Sequence, residues 1–306
     1  MKKVLVIGTG SIAQKHINIL NSLNYSVYVY SETNDKFFKK NLKTHQLTNL
    51  NKLNNFEFAI LANKTSDHLK ILKILINQSI HIYCEKPIFY KKFNYQKIKD
   101  QIKKNKIVFH YGYQLRNDTK IKYITKKLKK FKIKSFQVSV GHDFQKWRKA
   151  GVHKNSYFSD TKMGGGVIFE LVHEINLINL LFGKIKKIST IKSNSKNFNC
   201  EDVAISIVET ENNIIGSLYQ DMFSKTFFRS IRIVTNKIFF EIDLVKNLII
   251  ENNKIKNFKN INKQTDLLRK NILLFKKRIA KKDHSLDDYN IALFDLDTCI
   301  KMHNAK

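Results

Sequence analysis

One short stretch constrains this chain more than any other: Val4-Leu5-Val6-Ile7-Gly8-Thr9-Gly10-Ser11-Ile12-Ala13. Val4–Ile7 is an apolar run of strand length. Ile12–Leu23 carries apolar residues at helical spacing, with Ile12, Ile19, Leu20 and Leu23 on one face. Between them stands G-x-G-x-x-A. The first glycine permits a tight turn, and the second removes a side chain so that a pyrophosphate can approach the backbone. The small alanine lets helix and strand pack closely, and the helix N-terminus faces the phosphates. A strand before the motif and a helix after it are the context this fingerprint requires. Gly8, Gly10, Ser11 and Ile12 are therefore candidate dinucleotide-binding residues.

The rest of the first third repeats the alternation. Val27–Tyr30, Phe58–Leu61, His81–Cys84 and Ile107–Tyr111 read as strands, with helices over Thr65–Asn77 and Tyr95–Lys104. This is how a doubly wound parallel α/β sheet is written. The pattern then changes. Ser135–His142, Ile185–Lys192, Ala204–Val208, Ile214–Gln220, Arg229–Val234 and Lys237–Ile242 read as strands of a mainly antiparallel sheet. One helix, Gly166–Leu181, interrupts them, and helices over about Lys263–Ala280 and Leu286–Met302 close the chain. The division expected from this change is a dinucleotide-binding domain over 1–116 and a substrate and oligomerisation domain over 117–306.

Composition narrows the function classes. With 306 residues, 42% of them hydrophobic, the chain can build large cores without staples. It has no apolar run long enough to span a membrane, and the apolar stretch at the N-terminus is too short for a signal peptide. Cys84, Cys200 and Cys299 lie far apart and offer neither a disulfide framework nor metal spacing, so a cytoplasmic setting and no metal are expected. The net charge of +31 admits two readings, a polyanion partner or a lysine-rich solvated surface. Only six of the 56 basic residues are Arg, the residue that reads phosphates and bases bidentately, and the lysines are spread through every segment. The solvated surface is the reading we adopt. The runs Lys126–Lys130 and Lys276–Lys282 are read the same way, and nucleic acid is not expected as a partner.

Three further groups of residues could carry chemistry. Glu32, just after the second strand, is placed to accept from a ribose 2′-hydroxyl, which would favour NAD. Ser31, with Lys36 and Lys39 nearby, could instead hold the 2′-phosphate of NADP. Average composition would give this chain about fifteen prolines. It has one, Pro87, in Glu85-Lys86-Pro87 directly after a strand, where a fixed φ would aim the lysine. Gly164-Gly165-Gly166 leads into a helix on which Glu170, His173 and Asn176 recur every third residue and so share a face. A histidine beside a carboxylate is a common general acid–base arrangement.

Together, and in this order, these motifs resemble the Gfo/Idh/MocA family (glucose–fructose oxidoreductase, inositol dehydrogenase and MocA). The resemblance runs from about residue 3 to residue 250. It extends to Asn63-Lys64-Thr65-Ser66-Asp67-His68, to Gly112-Tyr113-Gln114-Leu115-Arg116, and to Lys146-Trp147-Arg148. It implies an N-terminal Rossmann domain and a C-terminal α/β domain whose open sheet forms a homodimer or homotetramer interface. It implies hydride transfer between NAD or NADP and a carbinol carbon of a sugar, cyclitol or nucleotide sugar. By the same resemblance Lys86 would polarise the reacting oxygen and His173 would exchange its proton, with Glu170 beside it. Asn63, His68 and Glu85 would join Lys86 around the cofactor, and Arg116, Trp147 and Asn176 would meet substrate. The pattern Gly164–Gly183 looks most like members tied to bacterial surface-glycan sugars. Where the family commonly has Asp, this chain has Glu170 and Asn176. The second substitution supports an alternative, a dinucleotide-binding sensor of the same fold with impaired catalysis. Three other residues have bland readings: Trp147 and Tyr157 as loop aromatics packing on their own domain, and His110 as a satisfied strand-end residue.

Overall fold

A computed structural model describes residues 1–32, 43–53, 55–144, 157–194, 198–258 and 264–305. The chain divides into two compact units, Met1–Gln114 with Gln264–Leu293, and Leu115–Lys263 with Phe294–Lys306.

In the first unit β1 (Lys3–Ile7), β2 (Ser26–Tyr30), β3 (His45–Leu47), β4 (Phe56–Leu61), β5 (His81–Cys84) and β6 (Phe109–Tyr111) form one sheet in the order β3-β2-β1-β4-β5-β6. Every pair is parallel. Strand order reverses direction between β1 and β4, and a doubly wound sheet opens its ligand crevice at that point, beyond the carboxyl ends of the strands. The glycine turn after β1 and the Glu85-Lys86-Pro87 turn after β5 both lie at that end. Helices α1 (Ser11–Ser22), α2 (His68–Asn77) and α3 (Tyr95–Lys104) connect the strands. Helix α1 buries Ala13, His16, Ile17, Ile19 and Leu20, so the expected apolar face is joined by a histidine.

In the second unit α4 (Thr119–Leu128) precedes β7 (Ile133–Gly141). The expected helix over Gly166–Leu181 is two helices, α5 (Val167–Glu170) and α6 (His173–Phe182). Strands β8 (Ile185–Ser193), β9 (Val203–Thr210), β10 (Ile215–Asp221), β11 (Phe228–Thr235), β12 (Phe239–Asp243), β13 (Leu248–Glu251) and β14 (Lys254–Asn257) complete a sheet ordered β14-β13-β12-β11-β7-β10-β9-β8. Only β7 and β10 pair in parallel, so the sheet is open and mainly antiparallel as expected. Alternation gives it two faces. Phe136, Val138, Val140, Val208, Leu218, Ile231 and Ile233 point inward and are buried, and Phe136 stacks on Phe182 of α6 at 4.0 Å. Ile191, Ile205, Ile207 and Ile215 stand exposed on the other face.

Two helices close the chain, α7 (Gln264–Ala280) and α8 (Asp287–His303). Helix α7 returns to the first unit, where Leu268, Ile272 and Phe275 share a core with Val4, Val6, Leu20, Phe58, Ile60 and Tyr83. Full burial of each such side chain stabilises by about 1.5–3 kcal/mol. Polar ties fix the same docking: Asn271 bridges Tyr83 Oη and His110 Nε2 at 3.1 Å each, and Asp288 meets His110 Nδ1 at 3.0 Å and Arg278 at 2.8 Å. His110 is thus a satisfied strand residue. The expected grouping of 117–306 differs here, because Gln264–Leu293 belongs with the first unit and the division falls inside α8. No single helix among the described residues is long and apolar enough to cross a membrane.

Candidate active site

Gly8 ends β1 with φ +107°, and its N–H donates to Tyr30 O at 2.8 Å. A Cβ there would come within 2.8 Å of Ala62 O, so only glycine fits. Gly10 is extended at the N-cap of α1, and a Cβ built on it would meet nothing within 4 Å. No side chain caps this helix, so the amides of its first turn, at Ser11, Ile12 and Ala13, have no side-chain acceptor from the cap position. An uncapped helix start with clearance at the second glycine fits a dinucleotide pyrophosphate.

Ser31 Oγ lies 3.5 Å from Thr9 Oγ1, beside the same turn. Glu32 is exposed. Its Oε1 pairs with Lys70 Nζ at 3.2 Å and accepts from Tyr30 Oη at 3.4 Å. The bond to Glu32 and its charge raise the Lys70 pKa. Lys36, Lys39, Lys146, Trp147 and Arg148 lie outside the described residues.

After β4, Asn63 is half-buried and its backbone O faces His68 Nε2 at 3.3 Å, while His68 Nδ1 meets Ile88 O at 3.0 Å. His68 thus ties the turn after β4 to the segment after Pro87, and burial lowers its pKa against the pull of both carbonyls. The Lys86–Pro87 bond is cis. Lys86 is half-buried, and its backbone N–H donates to Glu85 Oε2 at 3.3 Å. Glu85 itself is buried, with Oε1 2.7 Å from Nε2 of the fully buried His16. This pair clamps α1, which follows the glycine turn, to the turn that bears Lys86. His16 lies 69 residues from Glu85, and no local pattern marked it.

In the second unit, Gly166 (φ +107°) precedes α5, and a Cβ there would fall 2.3 Å from Glu201 Oε1. Glu170 ends α5 and His173 begins α6, both 6% exposed. The stretch Thr161–Glu170, which α5 ends, meets α6 at a 47° bend, so Glu170, His173 and Asn176 are not one face of one straight helix. The break has a donor: Gln220 Nε2, from β10, reaches Leu171 O at 3.0 Å. Glu174, fully buried, pairs with Arg229 Nε at 2.7 Å. Asn176 Oδ1 accepts from Arg116 Nε at 3.0 Å, and Asn176 Nδ2 donates to Asp295 Oδ2 at 2.8 Å. Asp295, a residue without any local signal in the sequence, is fully buried and also accepts from Asn179 Nδ2. Arg116 and Asn176 therefore belong to one cluster that also includes Asp295, one helical turn beyond His173. Among the described residues no group of acids, histidines or cysteines could hold a metal ion.

Comparison with known proteins agrees with this fold. Residues 2–113 match the profile of an oxidoreductase family with an NAD-binding Rossmann fold, and residues 132–238 match the GFO/IDH/MocA C-terminal domain. No curated protein sequence matches significantly. Among solved structures, UDP-N-acetylglucosamine 3-dehydrogenase GnnA from Acidithiobacillus ferrooxidans superposes with a TM-score of 0.84 at 15% identity, covering 99% of this chain and 96% of its own. Levoglucosan dehydrogenase, in complex with NADH and levoglucosan, gives 0.82 at 14%, covering 98% and 96%. The WlbA dehydrogenase from Chromobacterium violaceum, in complex with NADH and UDP-GlcNAcA, gives 0.80 at 16%, covering 99% and 93%. At such identities the likeness carries the fold, while the two profiles together take in most of the chain. The chain belongs to the Gfo/Idh/MocA oxidoreductases, with an NAD-binding Rossmann fold as its first unit.

Proposed function

We propose that this oxidoreductase transfers a hydride between a nicotinamide and the hydroxyl-bearing carbon of a sugar, cyclitol or nucleotide sugar. The observation that carries the reading is the pairing of an open, uncapped glycine turn after β1 with a Lys-Pro turn after β5, both at the carboxyl end of one parallel sheet. When bound, the dinucleotide supplies the hydride acceptor or donor. Its pyrophosphate would rest on Gly8, Gly10, Ser11 and Ile12, its adenine ribose beside Ser31 and Glu32, and its nicotinamide side near Asn63, His68, Glu85 and Lys86. Glu32 favours NAD, because its carboxylate accepts from a 2′-hydroxyl and repels a 2′-phosphate.

In the oxidation direction negative charge grows on the substrate oxygen as hydride leaves carbon. The Lys86 ammonium stabilises that oxygen, and His173 takes the hydroxyl proton, with Glu170 as its neighbouring carboxyl group. Reduction reverses each transfer. Lys86→Ala and His173→Ala should each lower turnover by at least about a hundredfold, the scale of one general acid–base group. NADH affinity should stay nearly unchanged. Normal turnover in both variants would remove these residues from the chemistry.

The partner we assign is a second copy of the chain, seated on the outer face of the second sheet as a dimer or tetramer. Exposed Ile191, Ile205, Ile207 and Ile215 support this, because apolar side chains clustered on one face favour burial. Cys84, Cys200 and Cys299 are buried and outside any disulfide, which suits a reducing cytoplasm.

A further inference from the structure

Asn176 has a side-chain amide whose orientation its neighbours dictate. Asp295 can only accept, and Arg116 can only donate. The amide nitrogen must therefore face Asp295 (2.8 Å) and the amide oxygen must face Arg116 Nε (3.0 Å). The consequence lies at Arg116. Its Nε is occupied, and its two terminal amines have no hydrogen-bond partner among the described residues, although the side chain is half-buried. A partly desolvated guanidinium with an unused fork is a receptor for a planar oxyanion, which it binds through two parallel hydrogen bonds. A carboxylate at position 176 would neutralise Arg116 in place. The amide instead orients it and leaves its charge for a ligand, while the fully buried Asp295 carboxylate balances that charge one group further back.

Position fixes what the oxyanion is attached to. Asn176 follows His173 by one turn of α6, so the two side chains are neighbours with Cβ atoms about 5–6 Å apart. An anion on Arg116 therefore lies about one sugar ring from the proton-transfer group. We infer that Arg116 is the carboxylate-binding residue of the substrate site, and that the substrate is a hydroxy sugar acid whose carboxylate sits on the ring that exchanges the hydride. The placement of the reacting ring rests on the assignment of His173 above. Asn176 and Asp295 are positioning residues that act through Arg116.

The test uses the NADH-saturated protein at about 0.2 M salt, which screens diffuse attraction to the basic surface. Phenylglyoxal labelling of Arg116 is followed by mass spectrometry with D-glucuronate, D-galacturonate, D-glucose or D-glucose 6-phosphate present. The exposed Arg232 serves as internal control. A uronate should slow Arg116 labelling at least tenfold, while glucose and glucose 6-phosphate do so far less and Arg232 does not respond. Asn176→Asp should abolish that protection with NADH binding intact. Should that variant fail to fold, Arg116→Gln should lose uronate affinity by calorimetry. Equal labelling with every probe would overturn the inference, as would protection by glucose or glucose 6-phosphate equal to that by the uronates. If His173→Ala turns over normally while uronate protection persists, the catalytic reading fails and the carboxylate-binding role of Arg116 stands.

Discussion

His68 faces two carbonyl oxygens, Ile88 O and Asn63 O, yet a neutral imidazole has one N–H to give. Burial dominates and lowers its pKa. A histidine depressed in the folded state adds stability above its unfolded pKa, about 6.5, and loses it as pH falls toward the folded value. The thermal midpoint should therefore drop between about pH 7 and pH 5, and His68→Gln should flatten that slope. An unchanged slope in melts across this range would show that other groups set it. The sequence marked His68 only through the motif Asn63–His68, and its bonds to backbone were not legible, because Ile88 lies beyond another strand. His16 and Asp295 were invisible for the same reason. Each meets its partner, Glu85 or Asn176, only after distant segments have been brought together. The Glu85-Lys86-Pro87 turn was legible because a single proline stood out against the composition.

The helix expected over Gly166–Leu181 shows how far periodicity reaches at the scale of an element. Its apolar spacing and polar row located α5 and α6 but could not reveal the break at Leu171–Val172. Leu171 O accepts from Glu174 N–H, and its second donor, Gln220 Nε2, comes from β10. The glycine run was legible as the start of this element, and the structure gives Gly166 a specific task. Its φ of +107° and the Glu201 carboxylate pressed against it exclude a side chain. Gly166→Ala should destabilise the protein by about 2 kcal/mol or more, from backbone strain and displaced Glu201. Denaturant unfolding would measure this, and wild-type stability in the variant would mean the turn has room to adjust. Strands β3 and β14 escaped prediction because they are short and largely exposed, leaving little apolar alternation to read, and β13 is only four residues long.

For the whole molecule, a parallel first sheet and a mainly antiparallel second sheet were legible in the change of pattern near residue 116, while the strand orders were not. The return of α7 to the first unit was not legible either, because a sequence pattern does not say which core a terminal helix joins. The outer face of the second sheet bears on assembly. Ile191→Lys with Ile207→Lys should shift the proposed dimer or tetramer toward monomer in sedimentation, since paired charges oppose burial of that face. An unchanged oligomer would place the interface elsewhere. The net charge of +31 sets the condition for the most direct measurement, because any polyanion will be attracted at low salt. That measurement is titration with NADH and with NADPH, followed by nicotinamide fluorescence at about 0.2 M salt. Saturable binding that persists in salt and prefers NADH is the expected result, with Glu32→Ala reducing the preference. Binding that vanishes with salt would contradict a working dinucleotide site at Gly8–Ile12.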